Sequence, residues 1–251
     1  MTSTPRAALD PSSPLRPMPG TGMGSRLVIG SGSGVDHLDP FVALIHDDVP
    51  PHAFFPTHPH RGVEILTYGI SGALAHEDTL GNAGTVVAGG VERNLFGRGF
   101  AHSEQPVGGV PYRGFQLFIL LSPADREMAP DWQLLAPDEV PEVTGEGTRV
   151  RVIAGTHDGT TSPVTLRNPT QYLDVHLDPG CGTMLDVPAG LQGLAYVVAG
   201  TGIIGTPPVV AGPHQRLVLG AGDVVHARAD DASDAPFRFV VIAGRPITGP
   251  A

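Results

Sequence analysis

From Arg26 onward the chain is a succession of short apolar or alternating runs, each cut off by glycine or proline. Arg113-Gly-Phe-Gln-Leu-Phe-Ile-Leu-Leu121 and Arg149-Val-Arg-Val-Ile-Ala154 show the pattern. Alternation with period two places apolar side chains on one face of a strand, and lengths of four to nine residues suit strands better than helices. The pattern predicts strands at Arg26–Ile29, Phe41–His46, Glu64–Ser71, Ala73–Glu77, Gly84–Val87, Arg113–Leu121, Arg149–Ala154, Gln171–Leu177, Ala195–Ala199, Gln215–Leu219, Asp223–Arg228 and Phe237–Ala243. Helical signals are weak; only Pro123–Met128 has room for one turn. The expected class is all-β, many-stranded, with tight turns.

The two halves echo each other. Leu66-Thr-Tyr68-Gly-Ile-Ser-Gly72 returns as Leu194-Ala-Tyr196-Val-Val-Ala-Gly200, and Ala88-Gly-Gly-Val91 as Ala221-Gly-Asp-Val224. The paired segments lie five residues further apart in the second half, which a longer hairpin absorbs at small entropic cost. A duplicated β-barrel unit is the economical reading. The polar, Pro-rich stretch Pro123–Gly147 then serves as linker, with the boundary near Glu142. Domains are expected at residues 26–142 and 143–251, behind a flexible N-terminal arm at residues 1–25.

Composition narrows the classes. Hydrophobic residues make up 41% of the chain, enough for a core, and no apolar run approaches the roughly eighteen residues of a membrane span. The 15 basic residues are all arginine and face 25 acids, for a net charge of -10. With no arginine cluster, such a chain repels a phosphate backbone, which argues against direct nucleic-acid binding. The single cysteine, Cys181, excludes an internal disulfide framework and a thiolate-rich metal cluster, and reads as a free buried thiol. The segment Met1–Gly24 lacks the apolar stretch of a signal peptide, so a cytoplasmic location is expected.

The richest segment for chemistry is Phe55-Pro-Thr-His58-Pro-His60-Arg-Gly-Val-Glu64. On a strand, residues two apart share a face, so His58 and His60 would aim their imidazoles at one point. About forty residues on, Gly97-Arg-Gly-Phe-Ala-His102-Ser-Glu104 supplies a second such pair. One His-x-His is weak evidence, because surface strands carry such pairs by chance. Two pairs on neighbouring strands would offer three nitrogens and one carboxylate oxygen, a set that suits Fe(II) and also Mn, Co, Ni, Cu or Zn.

These residues carry a resemblance. His58-Pro-His60-Arg-Gly-x-Glu64 resembles the first motif of the cupin superfamily, a His-x-His followed four residues later by Glu. Extended through Leu66-Thr-Tyr68, His76-Glu-Asp78, Gly81-Asn82, Gly97-Arg-Gly99 and His102-Ser-Glu104, the string is similar to the pirin family. Asp39-Pro-Phe41 and Val152-Ile-Ala-Gly155 add to it, and the likeness spans roughly Arg26 to Pro246. It implies two cupin-type double-stranded β-barrels (jelly rolls) packed face to face, with metal, usually iron, only in the N-terminal one. It also implies His58, His60, His102 and Glu104 as ligands. Glu64 is the competitor, since ordinary cupins use the Glu of the first motif; in pirins that role passes to the second Glu, leaving Glu64 to orient a ligand or an arginine. Phe55, Glu64, His76, Phe96, Arg98 and Phe100 are the remaining pocket candidates, with Arg98 placed to pair with one of the acids Glu77 and Asp78.

If Tyr196 matches Tyr68, Asp186 and Pro188 stand at the places of His58 and His60, so the C-terminal barrel is expected to hold no metal. Leu95 and Phe96 are departures: pirins usually have a smaller residue before Gly-Arg-Gly, and a bulky Phe96 would narrow the pocket. The segment that pirins carry past Gly244-Arg-Pro246 is missing, which implies surface that another subunit would cover. Some pirins are quercetinases, which open the heterocyclic ring of a flavonol with O2 and release carbon monoxide. The resemblance therefore implies a dioxygenase acting on a small aromatic substrate. Its rival is an iron-dependent, redox-sensitive regulator that binds a protein partner without turnover.

Overall fold

A computed structural model describes residues 3–9, 11–18 and 23–247. Among them there are strands, turns and bends but no helix, so the one helical turn expected at Pro123–Met128 is a plain turn. The first ten strands are β1 (Arg26–Ile29), β2 (Phe41–Val49), β3 (Phe55–His60), β4 (Val63–Ser71), β5 (Ala73–Asp78), β6 (Ala83–Val87), β7 (Val91–Leu95), β8 (Phe100–Pro106), β9 (Tyr112–Leu120) and β10 (Asp131–Leu135). There follow β11 (Glu142–Gly145), β12 (Thr148–Ala154), β13 (Thr156–His157), β14 (Thr160–Thr161), β15 (Thr170–Leu177) and β16 (Gly182–Asp186). The last six are β17 (Gln192–Ala199), β18 (Gly202–Ile204), β19 (Val209–Ala211), β20 (Arg216–Leu219), β21 (Val224–Ala229) and β22 (Phe237–Gly244).

Two compact units result. One comprises Pro17–Val140 with Leu166–Asn168, and the other the remaining described residues. The first unit closes a six-stranded sheet, in the order β1-β2-β9-β4-β7-β10, and a four-stranded sheet, β3-β8-β5-β6. The second repeats this with β11-β12-β15-β22-β17-β20 and β16-β21-β18-β19. In chain order β2 through β9 thus correspond one for one to β15 through β22, so the duplication extends to the complete antiparallel double sheet. The first sequence echo falls on equivalent turns. Gly72 and Gly200 have φ of 72° and 70°, which glycine adopts without strain. At each a Cβ would run into the carbonyl of the proline that leads into β9 or β22, Pro111 and Pro236 respectively. The second echo is not equivalent: Ala88–Val91 enters β7, whereas Ala221–Val224 enters β21, the counterpart of β8.

The strands expected from alternation are all present, with ends shifted by a few residues. Those not expected are short or polar. In β7 the run Val91-Glu-Arg-Asn-Leu95 is buried throughout; the adjacent Glu92 and Arg93 take opposite faces of the sheet, Glu92 toward Trp132 and Arg93 toward Glu64 and Asp131. The stretch Pro123–Gly147, expected as linker, contains β10, which pairs with β7, and β11, which pairs with β12. Within the segment expected as a flexible arm, the backbone N–H groups of Arg6, Leu9, Ser12 and Leu15 donate to Val224, Val218, Arg216 and His214 of the second unit. The Arg6 guanidinium is buried and donates to the carbonyls of Gly220 and Pro188, at 2.7 and 2.9 Å.

The second unit's core is apolar from sheet to sheet, drawing on Leu173, Leu185, Val197, Leu217, Val225 and Phe239 among others. The first unit's interior is divided. Val49, Leu74 and Tyr112 form one apolar cluster, and Ile65, Phe96 and Phe100 another. Between the sheets it also buries Thr67, His76, Glu92, Asn94, His102 and Glu104. Cys181, expected to be buried, is free and only half-buried.

Candidate metal centre

Strands β3 and β8 run antiparallel with His58 directly opposite His102 and His60 opposite Phe100. The period of two carries His58 and His60 to one face of β3, and His102 and Glu104 to the inner face of β8. One ring nitrogen from each of His58, His60 and His102 lies within 4.8 Å of the other two. Ring centroids are 4.5 Å apart for His58 and His102, 4.9 Å for His58 and His60, and 5.2 Å for His60 and His102. Glu104, at the next inward position of β8, falls in a second, equally close-set group with His76 and His102, so His102 is common to both. His58 and His60 are half-buried, whereas His102, His76 and Glu104 are buried.

The hydrogen bonds assign the ring protons. His58 Nδ1 lies 2.8 Å from the Pro56 carbonyl, which can only accept, so Nδ1 donates there and Nε2 is the ring atom left to face an ion. His102 Nδ1 faces His76 Nδ1 at 3.3 Å, while its Nε2 is buried without a hydrogen-bond partner. Burial, with His58 alongside, lowers the His60 pKa to about 4. Burial, with His58, His76 and His60 around it, lowers that of His102 to about 3. Both rings are therefore neutral near pH 7 and can offer lone pairs.

Glu104 receives the Gln116 side-chain N–H at both oxygens, at 3.1 and 2.9 Å. Burial raises its pKa, opposed by the Gln116 hydrogen bond and by His58. A buried carboxylate held by a neutral amide is costly unless a cation joins it. Three clustered imidazoles, an unpartnered buried Nε2 and this carboxylate fit a divalent ion.

Glu64 is in different company. It is fully buried on β4, accepts from Arg93 Nε at 2.7 Å and from the Arg167 backbone N–H at 2.9 Å, and neither close-set group of metal-binding side-chain types includes it. Phe96 lies edge-on to His60 and His102, with centroids at 4.8 and 5.2 Å, and stacks on Phe100 at 4.2 Å. Phe118, which the sequence did not single out, meets His60 at 5.7 Å. Phe55 packs instead against the cluster of Val49, Leu74 and Tyr112. Arg98 is exposed and donates through its backbone to Met128; among the described residues its side chain joins no ion pair, so the expected pairing with Glu77 or Asp78 does not form. Asp78 is held by Asn82 and the Leu80 N–H. Gln116 and Glu92 were also invisible in the sequence, since nothing local marks an inward polar residue on a central strand.

Ladder register gives the second unit's equivalents. His76 and Ile204 both lie four residues beyond the matched turn glycines, and pair with Glu104 and Ala227 respectively. His58 pairs with His102 as Leu185 pairs with Val225. One step further in, Val187 stands for His60. All five counterparts, Leu185, Val187, Ile204, Val225 and Ala227, lie in the apolar core. The sequence match of Asp186 and Pro188 to the two histidines is therefore off by one residue, and a one-residue slip exchanges the faces of a strand. Asp186 points outward and holds the His157 ring at 3.1 Å. Among the described residues, close-set groups of three or more metal-binding side chains occur only in the first unit.

Comparison with known proteins agrees with this architecture. The family description Pirin matches residues 24–119, and that of the Pirin C-terminal cupin domain matches residues 172–251. A pirin-like protein of Solanum lycopersicum is 39% identical over 217 residues, covering 86% of this chain and 74% of the relative. Among solved structures, GK1651 from Geobacillus kaustophilus superposes with a TM-score of 0.89 at 27% identity, over 100% of both chains. A quercetin 2,3-dioxygenase from Acinetobacter baumannii shares the fold with a TM-score of 0.86 at 22% identity, over 98% of this chain and 89% of the other. The bacterial pirin YhhW of Escherichia coli, solved in complex with nickel(II), does so with a TM-score of 0.70 at 20% identity, over 98% and 99%. The chain is a bicupin and belongs to the pirin family.

Proposed function

We propose that this chain is a mononuclear metal protein acting as a quercetinase-type dioxygenase on a flavonol or related aromatic. The observation that carries the reading is the convergence of His58, His60 and His102 beside the buried Glu104. The dioxygenase and the nickel-bound pirin among the structural neighbours support it.

His58, His60, His102 and Glu104 would hold the ion, which we assign as Fe(II). When bound, a divalent ion supplies Lewis acidity that lowers the pKa of a coordinated hydroxyl. The protein's own groups do the rest. Glu104 takes the substrate hydroxyl proton on a carboxylate oxygen, and the Gln116 amide holds that carboxylate in place. The Pro56 carbonyl fixes the His58 ring through Nδ1. Phe96 and Phe118, set edge-on to His60, offer an apolar wall to a flat ring and keep water away.

The test is oxygen uptake by the iron(II)-loaded protein with quercetin, beside a Glu104→Gln variant. Uptake matching flavonol loss in the wild type, and absent from the variant, is the expected result. No uptake with iron confirmed bound removes quercetin as substrate and favours a redox-sensitive regulator binding a protein partner.

A further inference from the structure

We propose that His76 is a positioning residue of the metal centre, its Nδ1 accepting the Nδ1–H of His102 so that His102 Nε2 stays turned to the ion. The inference rests on the reading of His58, His60 and His102 as ligands. Once His102 Nε2 commits its lone pair, the neutral ring must carry its proton on Nδ1. The ring atom facing that proton is His76 Nδ1, 3.3 Å away and buried. Metal-bound imidazoles characteristically donate their outer N–H to an acceptor, and loss of that acceptor weakens binding. For His58 the acceptor is the Pro56 carbonyl. For His102 it is another imidazole.

The surroundings of His76 hold it in this role. To accept at Nδ1 it must be protonated at Nε2, an atom buried without a hydrogen-bond partner; Asp78 Oδ2, 3.7 Å away, favours that tautomer by its charge alone. The ring lies nearly parallel to the Trp132 indole, at a centroid distance of 6.3 Å and an interplanar angle of 19°. Glu92 Oε1 also lies 3.4 Å from His76 Nδ1, slightly farther than His102 Nδ1, and accepts the Trp132 indole N–H at 2.8 Å. An independent observation comes from the second unit. There the equivalent of His76 is Ile204, in the barrel where the ligand positions are apolar as well. The imidazole occurs where the other imidazoles do.

The experiment compares the wild type with His76→Leu and His76→Asn for Co(II) affinity, by chelator competition, and for the Co(II) d–d spectrum. Thermal melting of the metal-free proteins runs alongside. The Asn amide oxygen can stand near the place of Nδ1 and accept; Leu cannot. The expected result is Co(II) binding about 10- to 100-fold weaker with an altered spectrum for Leu, and affinity near that of the wild type for Asn. Wild-type affinity and spectrum in the Leu variant overturn the proposal. So does an Asn variant as weak as Leu when both metal-free proteins melt like the wild type, because the ring's bulk would then matter and its acceptor would not. Should the Leu chain not fold, Asn is compared with His76→Gln, whose oxygen stands one carbon further out. A His102→Ala variant that binds Co(II) as the wild type does would instead sink the ligand assignment itself.

Discussion

Glu64 and Glu104 are both buried carboxylates within reach of sequence motifs for metal binding, and their partners separate them. Glu64 faces a guanidinium and a backbone N–H, so its charge is answered by the protein. Among the described residues, Glu104 has only the Gln116 amide and the surrounding imidazoles. Removing one member of a buried ion pair typically costs about 3–5 kcal/mol, and the Arg93 contact to Asp131 at 2.6 Å offsets part of that here. Glu64→Ala is therefore expected to destabilise the fold by about 3 kcal/mol in chemical denaturation, with metal content per folded chain unchanged. An ion lost along with Glu64 would reverse the assignment. Gln116→Leu should act the other way, leaving stability within about 1 kcal/mol of the wild type while weakening metal binding about tenfold, read by chelator competition.

At the scale of elements, β15 and β22 carry an acid–base cluster that lies apart from the candidate metal centre. Asp174 is buried on β15 and accepts from Arg238 on β22 at 3.1 and 2.7 Å, with His176 3.5 Å away. Burial opposes its ionisation, but the His176 and Arg238 contacts outweigh this and hold the carboxyl below the usual range. A carboxylate with a depressed folded-state pKa stabilises the fold above the unfolded value of about 3.9 and loses that contribution as pH falls further. Asp174→Asn should thus lower the melting temperature at pH 7, and the gap to the wild type should narrow as pH drops from about 4 toward 2. A gap constant across that window would show that packing, not charge, is lost. Element by element, alternation revealed the strands with one apolar face. It could not reveal β7, because both of its faces are buried and Glu92 and Arg93 are answered by Trp132, Glu64 and Asp131, partners 29 to 40 residues away in the chain.

Over the whole molecule, one strand order is used twice with opposite linings. Positions that hold His58, His102, His76 and Glu104 in the first unit hold Leu185, Val225, Ile204 and Ala227 in the second. The polar companions Thr67, Glu92 and Gln116 likewise have Ala195, Leu217 and Val241 as ladder equivalents. Elemental analysis of the purified chain should therefore find one divalent ion per molecule, lost in a His58→Ala, His102→Ala double variant and kept in His214→Ala and His226→Ala. Two ions, or retention in the double variant, would refute this division. The sequence by itself determined the all-β class, the duplication and the two histidine-bearing pairs, because a period of two and a turn glycine are local and survive without the fold. Tertiary structure alone decided which carboxylate is already paired, that His76 backs His102, and that Leu185 rather than Asp186 takes the place of His58 in the duplicate. Those facts depend on ladder register and on partners 26 to 103 residues apart, where a slip of one residue turns every side chain to the other face.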